Sequence, residues 1–142
     1  MSDWKRKDIW SRHGKNFLVQ ISRHEETADE GWESFCDAQG PHRWCVYAYI
    51  YPKHPHFANF TGPAMWQEAA ACLPFHGGPS LLRWHYDDDQ KPTSVQVGAD
   101  YNHLHDSYYT RCATEKDAYT VFADAEDLFQ RLSAMAAEKE AA

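Results

Sequence analysis

Residues 43–51 read Arg43-Trp44-Cys45-Val46-Tyr47-Ala48-Tyr49-Ile50-Tyr51, and this stretch decides the fold. Aromatic and β-branched side chains dominate it, and it stops at Pro52, which has no N–H to give to a ladder. Its two alternating sets are both largely apolar, so the run is expected as the central strand of a sheet.

Working outward, Asn16 to Arg23 (NFLVQISR) alternates, with Phe17, Val19 and Ile21 on one face and Leu18, Gln20 and Ser22 on the other. Trp4 to Trp10 is expected as its hairpin partner, with Ser11-Arg12-His13-Gly14 as the turn and Gly14 free to take positive φ. A second hairpin is expected from Ser80 to Tyr86 and Thr93 to Tyr101, joined across the polar tip Asp87-Asp88-Asp89. Pro63 opens a short helix, Ala64 to Cys72, and Pro74 closes it. The last helix is expected from an N-cap at Thr114. Ala118, Val121, Phe122, Ala125, Leu128, Phe129, Leu132 and Met135 then recur at three- and four-residue spacings. The predicted architecture is a single α+β domain over 1–142. It is an antiparallel sheet of about five strands, with a short middle helix and a long C-terminal amphipathic helix on one face. Residues 25–42 are expected as a long acidic loop and 137–142 as a frayed tail.

The 142 residues are 43% apolar, enough for one core, and carry a net charge of −7. Residues 1–24 are +4, 25–40 are −6, 41–112 are −1 and 113–142 are −4. The absence of a basic excess argues against direct binding of nucleic-acid phosphates. No run approaches the roughly 20 apolar residues that span a bilayer, and the start lacks the apolar core of a signal peptide. A cytoplasmic location with four reduced thiols is therefore expected, with Cys45 and Cys72 read as small buried hydrophobes.

The acids at 25–37 form a patch suited to a Lys/Arg-rich partner surface. Glu25, Glu26, Asp29, Glu30 and Glu33 would be its charges and Trp32 its packed anchor. A second constellation gathers two-residue His spacing and a carboxylate. His103, His105 and Asp100, with His76, would offer a two-His, one-carboxylate set for zinc or iron in a small metal-dependent enzyme. The pair His54 and His56 has the same spacing, and such residues also serve simply to hydrogen-bond nearby backbone. His76-Gly77-Gly78 is reminiscent of an esterase oxyanion loop, but the chain has no G-x-S-x-G nucleophile turn. Six Trp, eight Tyr and seven Phe exceed what one small core needs. The surplus points to a symmetric homodimer contact, or to an aromatic pocket that sequesters a signalling nucleotide.

The runs Trp44 to Phe57 (WCVYAYIYPKHPHF), Leu73 to Ser80 (LPFHGGPS), Gly98 to Asp106 (GADYNHLHD) and Thr114 to Phe129 resemble stretches of small proteins encoded by tailed bacteriophages and prophages. The resemblance carries no catalytic motif. It implies a context: a non-enzymatic inhibitor of a host defence system, anti-CRISPR-like, or of a nucleic-acid-handling complex. Such a protein acts in the bacterial cytoplasm on a host protein or protein–nucleic acid complex with a basic surface.

Overall fold

The computed structural model describes residues 7–25, 40–60, 66–101 and 107–141. Five antiparallel strands, β1 (Lys7–Gly14), β2 (Phe17–Glu25), β3 (His42–Ile50), β4 (Leu81–Tyr86) and β5 (Pro92–Asp100), form one sheet in the order β1-β2-β3-β5-β4. The helices are α1 (Trp66–Ala71), the single turn α2 (Ser107–Thr110) and the long α3 (Tyr119–Ala141), with a 3-10 turn at Phe57–Phe60. The α+β architecture is as expected, and β3 is the central strand.

Strand alternation sorts the side chains cleanly. Phe17, Val19 and Ile21 of β2, Trp44, Val46, Ala48 and Ile50 of β3, and Val95, Val97 and Ala99 of β5 are all buried on one face. The ladder sets them side by side, as in Phe17↔Ile50↔Val95 and Val19↔Ala48↔Val97. The apolar stripe of α3 (Val121, Ala125, Leu128 and Leu132) closes over β2 and β3. The segment 54–60 and α1 close over the other half, where Phe57 meets Trp84 edge-on at 5.6 Å. Each large side chain buried this way contributes about 1.5–3 kcal/mol. The outward face of β3 carries Arg43, Cys45, Tyr47 and Tyr49, which are half-buried, and no described helix packs on it.

The first hairpin corrects the expectation. β1 extends through Ser11-Arg12-His13-Gly14, which pair with Gln20, Val19, Leu18 and Phe17, and the reversal is Lys15-Asn16. Asn16, not Gly14, adopts the left-handed conformation, at φ 65°. Gly14 is required for space: a Cβ there would overlap the fully buried Phe17 ring.

At the second hairpin, Asp87 Oδ1 accepts the N–H groups of Asp89 and Lys91, both at 2.9 Å, so the acidic tip is an Asx-type turn. The last helix begins later than expected. Thr114 Oγ1 accepts the Asp117 N–H at 3.2 Å, but a turn intervenes before Tyr119. At its other end α3 continues to Ala141, through the segment expected to fray. Cys72 is exposed, not buried, because it lies just past the end of α1. Cys45 is half-buried on the outward face and Cys112 is buried.

Gly14→Ala is expected to destabilise the protein by about 1–3 kcal/mol, because Phe17 has no free volume into which to move. Urea unfolding measures this; an unchanged midpoint would show that the Phe17 ring is not held as described.

Candidate functional site

Of the acidic set, Glu25 is described, while Glu26, Asp29, Glu30, Trp32 and Glu33 lie outside the described residues. Glu25 ends β2 and faces inward to an ionic cluster. The cluster centres on Arg23, 2% exposed, which continues the inward set Phe17, Val19, Ile21. Its guanidinium binds the Asp8 carboxylate closely, and its Nη1–H donates to His42 Nδ1 at 2.8 Å. Glu25 Oε1 stands 3.5 Å from Arg23 Nη1 and 3.9 Å from His42 Nδ1. A buried guanidinium needs such partners to offset its lost hydration. Glu25 thus leans toward the cluster while its side chain stays 41% exposed.

His54 and His56 prove to be structural. Both are buried, and their partners dictate the same neutral tautomer. His54 Nε2–H donates to the Leu132 carbonyl at 2.9 Å, and its Nδ1 accepts the His56 N–H at 3.1 Å. His56 Nε2–H donates to the Ala69 carbonyl at 2.7 Å, and its Nδ1 accepts from Asn59 Nδ2 at 2.8 Å. Burial pushes both imidazoles below their ordinary pKa. The pair ties the proline-rich connection to α3 and α1.

Cys72 Sγ lies 3.6 Å from His56 Nε2, so cysteine, histidine and asparagine stand in line. The chemistry of a catalytic triad does not follow. Nε2 already carries a proton and spends it on Ala69, so it has no lone pair for the thiol, which itself donates to the Ala69 carbonyl at 3.3 Å.

The second sequence constellation is divided by the sheet. Asp100 sits opposite Cys45 on the outward face of β5. Tyr101, the next residue, is 1% exposed on the inward side, and its hydroxyl donates to Asp124 of α3 at 2.6 Å. His76 stacks on Tyr101 at 4.3 Å, with Tyr109 edge-on to both. Alternation thus sends Asp100 and the His76 cluster to opposite sides. His103 and His105 lie outside the described residues, and no metal-binding group of three or more His, Cys, Asp or Glu occurs among the described ones.

The outward face adds a surface that sequence reasoning did not single out. Tyr47 packs closely against Gly98, where a Cβ would overlap its ring, and burial raises its phenol pKa. Beside it, Tyr49 packs against His85 at 5.8 Å, and His85 Nε2 meets Gln96 Oε1 at 2.8 Å. The odd positions of the 43–51 run, aromatic and polar rather than aliphatic, were the available signal. Comparison with protein-family models, with curated proteins and with solved structures found no match. No helix among the described residues is long and apolar enough to cross a membrane.

The lowered imidazole pKa values fix the sign of a pH effect. The unfolded chain takes up protons at His54 and His56 first. Their contribution is full above the ordinary imidazole pKa of about 6.5 and is lost as pH falls through and below that value. Urea midpoints are therefore expected to drop between pH 7.5 and pH 5.5. The His54→Gln, His56→Gln double variant, whose amides reach the same carbonyls without titrating, should show a smaller drop. Equal drops would remove these two groups as the cause.

Proposed function

We propose that the chain is a non-enzymatic interaction protein of phage type that inhibits a host defence or nucleic-acid-handling complex by occupying a basic protein surface. The observation that carries the reading is the length and charge of the β2–β3 connection. The two strands stay paired out to Glu25↔His42, yet sixteen residues separate these partners. Two residues suffice to reverse an antiparallel pair, as Lys15-Asn16 does between β1 and β2. Connections of this length that the fold does not need are commonly functional. Residues 26–37 hold five carboxylates and no Lys or Arg, so most of the net −7 belongs to this one segment.

The mechanism is competitive. Carboxylates at Glu26, Asp29, Glu30 and Glu33 take the place of phosphates in a basic groove, and Trp32 supplies apolar burial. Both flanking strands are interior to the sheet, and Arg23 clamps their ends. The connection therefore departs from a rigid base, which lowers the entropy cost of binding.

The test compares the wild-type chain with a Glu26→Lys, Asp29→Lys, Glu30→Lys, Glu33→Lys variant as bait for host bacterial proteins. Glu25 is spared, because a lysine beside Arg23 would perturb the fold itself. The wild type is expected to retain a Lys/Arg-rich protein or nucleoprotein at about 0.05 M salt and release it at about 0.5 M, and the variant to retain none. Retention of the same partner by the variant, or insensitivity to salt, would overturn the mechanism.

A further inference from the structure

Helix α3 crosses β2 and β3, and edge strand β1 runs past its flank. Between them a cleft of about 170 Å³ opens to solvent. Its walls are Trp10, Ile21, Phe122, Ala125 and Phe129. Phe122 stands edge-on to Trp10 at 5.3 Å, so aromatic faces line a slot. An apolar cavity of about 150 Å³ is enough to hold one benzene ring.

The mouth is charged. Arg12 of β1 lays its guanidinium over the Phe129 ring, 3.8 Å from the centroid, and pairs through Nη1 with Glu126 of α3. Both side chains are about half exposed, at 55% and 50%. The two groups differ in what they can still bind. Glu126 has both oxygens engaged: Oε2 takes Arg12, and Oε1 accepts from Gln130 Nε2 at 2.8 Å. Among the described residues Arg12 donates through Nη1 alone, which leaves Nε and Nη2 without a protein acceptor there. Arg12 therefore keeps two N–H-bearing nitrogens for a further acceptor at the mouth, while the second carboxylate nearby, Glu115, is held by the Trp10 indole N–H at 2.6 Å.

We infer that this cleft binds a small aromatic carboxylate. The single ring fills the slot walled by Trp10, Ile21, Phe122 and Ala125, and the carboxylate lies on the Arg12 guanidinium. The planar fork of Arg suits a carboxylate bidentately. Stacking on Phe129 holds that fork at the rim, so little rotamer freedom remains to be lost. The ring covers apolar walls that otherwise meet water, and expelling that water is the main driving force. This site is separate from the β2–β3 connection, and its test does not depend on the function proposed for that segment.

The experiment is an NMR titration of the full chain, following the Ile21 and Ala125 methyl signals, with benzoate and with its neutral isostere benzamide. Benzoate is expected to shift both signals saturably, in the millimolar range or below for a ligand of this size. Benzamide is expected to bind about tenfold more weakly or worse. Arg12→Gln should bring benzoate down to the level of benzamide, and Ala125→Leu, which fills the slot from α3, should abolish both. No saturable shift with benzoate up to about 10 mM would overturn the inference. So would equal affinities for the two ligands, or undiminished benzoate binding by Arg12→Gln. If Ala125→Leu does not fold, the Arg12→Gln and benzamide comparisons decide the question alone.

Discussion

The rest of the structure depends on how the Trp44 indole is buried. It is 1% exposed at the inward face of the central strand. A buried indole N–H must find an acceptor, and Nε1 donates to the Cys112 carbonyl at 3.0 Å. That single bond anchors the segment leading into α3 against the middle of the sheet. The ring itself stacks on Trp10 at 5.5 Å and meets Phe122 of α3 at 5.9 Å. One side chain thus joins the edge strand, the central strand and the helix. The aromatic slot lies beside this cluster, with Trp10 and Phe122 among its walls.

One-sided cover has a second consequence. With every described helix on the inward face, buried polar groups collect where elements must be tied together. His54 and His56 bond carbonyls of α3 and α1 from a connection with no ladder of its own. Arg23 performs a similar task at the other end of β2, with Asp8, His42 and Glu25 around it. These polar side chains occupy positions that alternation or burial would assign to apolar residues, and each is satisfied by named partners. His54 and His56, whose two-residue spacing fits a chelating pair, here serve the architecture.

Legibility varied with the range of the interaction. The 43–51 run, the alternation of Phe17, Val19 and Ile21, and the apolar stripe from Ala118 to Met135 were readable, because period 2 and period 3.6 are local properties of the backbone. The first turn was misplaced because Gly14 is a usual turn residue, whereas its role here is to leave room for Phe17, a contact that appears only once the hairpin closes. Cys72 was misjudged because exposure at a helix end depends on what packs there. Asp100 and His76 part because Asp100 points outward at the end of β5, whereas His76 stacks on Tyr101, the next residue, which faces inward.

By itself, the sequence determined the α+β class, the central position of β3 and the concentration of acid between β2 and β3, since these rest on periodicity and on counting charges. The tertiary structure decided which polar side chains are free to act. It closed His54, His56 and Cys72 into hydrogen bonds with main-chain carbonyls and drew Glu25 to Arg23. It also left Arg12 half-exposed at the rim of an aromatic slot, over the Phe129 ring and paired with Glu126. The physical reason is that a side chain's chemistry is set by the partners that burial forces on it, and those partners come from distant parts of the chain.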